Sequence, residues 1–248
     1  MLDGTPPHMS SPVASKEDLW SMLQERFHFP QLNSTQLYLF PGSVKHLHPE
    51  FDAVLDILLR TDQNTVVVVS VPRTGRDFLP TTHVAARHDL MHPTNPPAAV
   101  AKLKQRLAVT LGDSAKRVYI LPPLDERIYN SLLQNIVAVL DPYPVGMHTP
   151  IIDAMMAGVP VVSAPVLQEC TNSHSFGIAK ALGVIGPGGR PEWPSNAEEY
   201  AVLALRLQGD RALRRAFTPA KRAAVKQGSK DAPGGDLETI VQLLERLV

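Results

Sequence analysis

The sequence predicts an α/β chain built on a doubly wound parallel sheet, and three observations carry that reading. Apolar runs of strand length, Gln36 to Phe40, Thr65 to Val71, Arg117 to Leu121, the run into Leu140 and Val159 to Ala164, alternate with segments of helical spacing. The run of valines after Thr65 suits a strand buried on both faces, as parallel sheets covered by helices require. Residues 141–162 read as loop, capped helix and returning strand, the unit by which such a sheet grows through right-handed crossovers.

At 248 residues the chain fits one large domain, or one domain with extensions, and can bury a substantial core. Its 24 Lys and Arg balance 24 Asp and Glu, which argues against nucleic acid or a membrane surface as the main partner. One cysteine, Cys170, excludes an intrachain disulfide and suits a reducing compartment. There is no signal-peptide pattern and no apolar run approaching about 18 residues, so the expected location is cytoplasmic or nuclear.

Residues 1–15 read as a linker, and a linker at the start implies that the chain continues a longer protein. Lys16 to Phe27 has helical spacing, with Leu19, Trp20, Leu23 and Phe27 on one side. The strand Gln36 to Phe40 runs into Pro41-Gly42-Ser43, and Pro49 opens a helix that turns Phe51, Val54, Leu55 and Leu58 inward. Residues 72–96 form a long irregular connection; His88 and His92 within it stand four apart, but no third ligand is placed and no metal site is assigned. Helices follow over 97–109 and 126–134. Thr149 is a good N-cap, Pro150 suits a first turn and Gly158 stops the helix.

Farther on, 172–182 reads as a helix and Val184-Ile185 as a short strand. The glycine-rich 185–190 is a loop rather than a phosphate cradle, because prolines and not a helix follow it. Ser195 and Glu198 make a capping box, and amphipathic helices are expected over 210–225 and 236–247. The domain thus runs over 16–225, with 226–248 a C-terminal helix packing on it.

Chemistry concentrates at the carboxyl edge of the expected sheet, where 40–48, 122–129 and 141–149 converge. A helix starting at Thr149 offers free N–H groups and the positive end of its dipole to a phosphate. Asp153 lies one turn on, on the same face, and would repel a diphosphate; a ribose hydroxyl is the ligand group it suits. From spacing alone, an ordinary strand-to-helix turn with a capped helix explains the same residues equally well.

In order, Tyr38-Leu-Phe-Pro-Gly-Ser-Val-Lys-His-Leu-His-Pro-Glu-Phe-Asp52, Arg117-Val-Tyr-Ile-Leu121, Leu140-Asp-Pro-Tyr-Pro144, His148-Thr149, Ala157-Gly-Val-Pro-Val-Val162 and Glu199-Tyr-Ala-Val-Leu-Ala204 resemble the donor-binding C-terminal half of the O-linked N-acetylglucosamine transferase and SPINDLY family. The likeness covers about residues 16–225. It implies a Rossmann-like C-terminal domain of a GT-B glycosyltransferase, moving N-acetylglucosamine from UDP-N-acetylglucosamine to Ser/Thr of proteins. Donor binding would fall to Ser43, Lys45, His46, Tyr129, His148, Thr149 and Asp153, with His148 and Thr149 at the diphosphate, Asp153 on the ribose and Tyr129 reading or shielding the base. Lys45, His46, His148 and Thr149 would stabilise the leaving group without a metal; no catalytic base is assigned.

At four positions the chain departs from the family pattern. His46 stands where the family usually has a lysine, Leu132 where animal members are basic, and Ser173 where related sequences tend to have arginine; Pro150 also removes one N–H. The family's acceptor site lies in an N-terminal lobe and preceding helical repeats, which this chain does not contain. Two other readings are a nucleotide-sugar-binding module without catalysis and an O-fucosyltransferase using GDP-fucose. A sugar-nucleotide epimerase is weaker, because no paired carboxylates with a histidine can be assigned.

Overall fold

The computed structural model describes residues 16–29, 35–70, 97–124, 126–147, 149–164 and 194–216. Five parallel strands lie in the order β3-β2-β1-β4-β5: β1 is Gln36–Phe40, β2 Thr65–Val69, β3 Val118–Ile120, β4 Ala138–Leu140 and β5 Val161–Val162. β1 and β2 run in register from Gln36 beside Thr65 to Phe40 beside Val69. All of β2 is buried, as its valines require when helices cover both faces.

Alternation along the strands divides the core into two layers. Tyr38, Phe40, Val67, Val69, Ala138 and Leu140 face α2 (Asp52–Thr61), α3 (Pro97–Leu111) and α6 (Ala197–Gly209). Leu37, Leu39, Val66, Val68 and Val139 face α1 (Lys16–Phe27), α4 (Glu126–Asn135) and α5 (Thr149–Met156). The last described element, α7, covers Arg211–Ala216. Polar bonds pin the layers: the buried Tyr38 hydroxyl donates to the Ala204 carbonyl at 2.8 Å, and the half-buried Arg117 guanidinium donates to the carbonyls of Leu59, Asp62 and Thr65, closing the C-terminus of α2.

Most elements stand where the sequence puts them, and the differences are local. The helix expected from Pro49 opens as a 3-10 turn, Pro49–Phe51, before α2. Thr149 is the first helical residue of α5 rather than its cap, so Pro150 is the second; proline is tolerated there because first-turn N–H groups have no intrahelical partner anyway. The capping box is shifted by one residue. Asn196 caps α6 and accepts from the Glu199 N–H at 2.8 Å, while the Glu199 carboxylate accepts from Ser195, because Asn196 and Glu199 have the same spacing of three. Gly158, at φ +78°, ends α5 with the Val159 N–H returning to the Ala154 carbonyl at 2.9 Å. The linker 1–15, the connection 72–96, the helix 172–182, the strand Val184-Ile185, the glycine-rich loop and residues 217–248 lie outside the described residues.

Among the described residues no helix is long and apolar enough to cross a membrane.

Candidate functional site

The strand order reverses between β1 and β4, and in a doubly wound sheet ligands bind beyond the carboxyl ends of the strands at that point. Two loops leave the sheet there, one after Phe40 and one after Leu140. They touch. A Cβ on Gly42 would sit 2.8 Å from the Phe40 ring and 3.2 Å from the Met147 side chain, so glycine lets the loops close on each other. Behind them Phe51 packs against Tyr143 and Tyr200, with ring centroids 5.3 Å apart in both cases.

The first loop carries Ser43, Lys45 and His46. Ser43 is buried, with its Oγ 3.1 Å from His46 Nδ1, and Val44–His46 form one 3-10 turn. Lys45 is exposed and His46 half-buried. Burial and the Lys45 ammonium hold His46 below the ordinary imidazole value, although a hydrogen bond to Ser43 opposes them. The Arg106 guanidinium fixes the loop from α3, donating to the Leu47 carbonyl at 2.8 Å and to Asp52 at 2.9 Å.

In the second loop, Asp141 ends β4 fully buried. Its Oδ1 accepts from the Met147 N–H at 2.8 Å and its Oδ2 from Ser163 Oγ at 2.7 Å. Two residues after Met147, Thr149 opens α5, whose first turn therefore lies at the carboxyl edge of β4. Asp153 is exposed on α5, while Ile151 and Ala154 are buried beneath it. His148 and Ser173 lie outside the described residues.

Tyr129 is placed differently from a displayed ring that stacks on a base. It is 2% exposed, inside the core layer of α4 with Leu132 and Leu133, because spacings of three and four put these on one helical face. Its hydroxyl has no hydrogen-bond partner among the described residues, and burial, aided by the Asp153 charge, pushes its pKa up. The same face takes in Leu132, so the family's basic position is here a core position. What the sequence reading missed is the Asp141–Ser163–Met147 bonding and the Asp52–Arg106 support. An acid ending an otherwise apolar strand was the available signal for the first; nothing local announces a pair 54 residues apart.

No protein-family model matches the chain, and no curated protein matches it in sequence. Solved structures do. A mutant O-GlcNAc transferase from Thermobaculum terrenum is similar with a TM-score of 0.56 at 17% identity, over 79% of this chain and 33% of that one. Anabaena Alr3699/HepE, in complex with UDP and glucose, is similar with a TM-score of 0.52 at 17% identity, over 94% of this chain and 52% of that one. The chain thus spans between a third and about half of these structures. The sheet order and these likenesses define the fold: an α/β, doubly wound, Rossmann-like domain of the kind found in GT-B glycosyltransferases.

Proposed function

We propose that this chain is the donor-binding half of a protein O-glycosyltransferase that takes UDP-N-acetylglucosamine and modifies Ser/Thr of a protein acceptor. The observation that carries the reading is the contact of Gly42 with Met147 at the sheet's switch point, between the loop that holds the Val44–His46 turn and the loop that leads into α5. In the transfer, the bond between the anomeric carbon and the diphosphate oxygen breaks, and negative charge grows on the departing diphosphate. The free N–H groups and dipole of α5 receive that charge, with Lys45 as the flexible cation and His46, His148 and Thr149 as hydrogen-bond donors. No metal is needed in this scheme. Asp153, exposed one turn inside α5, takes the ribose hydroxyls.

The second reading, a nucleotide-sugar module without transferase activity, is favoured by the thin positive charge: His46 is held toward neutrality and Leu132 is apolar. Calorimetric titration of the chain with UDP, GDP and their sugars tests the donor. UDP is expected to bind more tightly than GDP; tighter GDP binding would replace UDP-N-acetylglucosamine by GDP-fucose, and absence of binding to either would end the nucleotide reading.

A further inference from the structure

An acid at the carboxyl end of a central strand, beside a candidate ligand site, is where a base or a ribose-binding group is ordinarily sought. Asp141 is neither. Each of its polar atoms is already engaged: the backbone N–H donates to the Val162 carbonyl at 2.9 Å, the backbone carbonyl accepts from the Tyr200 hydroxyl at 2.9 Å, and the two carboxylate oxygens hold Met147 and Ser163. The Tyr200 proton is shared, since the same hydroxyl lies 2.6 Å from the Val162 carbonyl. A carboxylate with no exposure and both oxygens already bonded within the fold is not placed to accept a substrate proton.

What Asp141 does control is where the second loop ends. Its Oδ1 grips the N–H of Met147, six residues on, just before His148 and the start of α5. Its Oδ2 anchors that grip to Ser163 at the end of β5. Met147 also packs against Gly42 of the first loop, so its position fixes how far apart the two loops stand. We infer that Asp141 is a positioning residue, holding with Ser163 the first turn of α5 and the Met147–Gly42 contact in the geometry that receives a nucleoside diphosphate. The inference rests on the functional reading above and deepens it.

The test measures UDP and uridine affinity, thermal midpoint and amide exchange at Met147 in the parent, Asp141→Ala, Asp141→Asn and Ser163→Ala. Asparagine keeps an oxygen for Met147 and turns an NH2 toward Ser163 Oγ, which can accept, so it is expected to bind UDP within about threefold of the parent. Asp141→Ala should weaken UDP at least tenfold and Ser163→Ala several-fold, because hydrogen bonds to a charged group are strong ones. Uridine, which lacks the phosphates, should change by less than about threefold in all of them, a split that a general loss of structure would not produce. Met147 exchange should quicken in Asp141→Ala and stay near the parent's in Asp141→Asn. Equal losses for UDP and uridine, or unchanged UDP affinity in Asp141→Ala, would overturn the inference. If Asp141→Ala does not fold, unchanged UDP affinity in Ser163→Ala does the same. A parent that binds no nucleotide while Met147 exchange still responds would instead overturn the functional reading alone.

Discussion

Burial and the Lys45 ammonium lower the proton affinity of His46, while Ser43 opposes them. The unfolded chain therefore binds a proton at this residue more readily than the folded one. Its contribution to stability is complete above about pH 6.5 and is lost as pH falls through that value toward the lowered one. A bound diphosphate reverses the preference, because it favours imidazolium. The expected outcome is a free protein that loses stability on acidification while the affinity of the His46 site for UDP rises over the same interval. Titrations of parent and His46→Gln between about pH 5.5 and 8 check this, and comparing the two cancels the ionisation of UDP itself. A parallel pH profile in the two proteins would remove His46 from the site. Asp153 gives the complementary case. Exposed on α5, it owes little to packing, so Asp153→Ala is expected to lower nucleotide affinity by about 1.5–3 kcal/mol and leave the melting midpoint nearly unchanged. A variant that melts early but binds as before would assign Asp153 to the fold.

At the scale of loops and helices, the site is set by the approach of the Gly42 and Met147 segments. Gly42→Ala would place a methyl 2.8 Å from the Phe40 ring. The Met147 side chain is flexible enough to move, but Phe40 is fully buried between Phe51 and the sheet, so the strain falls on the backbone of the first loop. We expect a loss of about 1–3 kcal/mol in stability together with weaker UDP binding, read from denaturant melts and titration of the same preparation. Unchanged values for both would mean the loops have room to part. This contact also shows where sequence reading stops. Continuous apolar runs expose β1 and β2, and a period of 3.6 exposes α1 and α4, because each places its own apolar residues within a few positions of one another. Convergence of two loops more than a hundred residues apart in sequence leaves no such periodic trace. Tyr129 illustrates the same limit from the other side, since the α4 pattern that identifies the helix also marks residue 129 as inward-facing, and a ring assigned by resemblance to the base is found in the core. The cap of α6 moved by one residue because Ser195 and Asn196 both offer an acceptor, with Glu198 and Glu199 both three residues on.

For the whole molecule, the described residues build one parallel sheet with helices on both faces, and the candidate site lies along one edge of it. Such an edge supplies one wall. Lys45, which is exposed, faces the consequence directly: a charge in contact with water is screened, and its pull on a developing diphosphate charge is far below what an enclosed site gives. Glycosyl transfer also needs the acceptor oxygen held in line with the breaking bond, a positioning effect worth up to several kcal/mol of barrier. Among the described residues, Ser43 is buried against His46 and both carboxylate oxygens of Asp141 are bonded, while the proposed function gives Asp153 to the ribose. Binding and chemistry should therefore separate in this 248-residue chain. Incubated alone with labelled UDP-N-acetylglucosamine and a Ser/Thr-rich peptide, it is expected to bind the nucleotide and transfer no sugar; joined to an opposing GT-B lobe that carries an acceptor site, it is expected to transfer. Turnover by the chain alone would mean that an acceptor site and a base lie within these residues, and silence from the joined protein that also binds UDP would favour the module without catalysis.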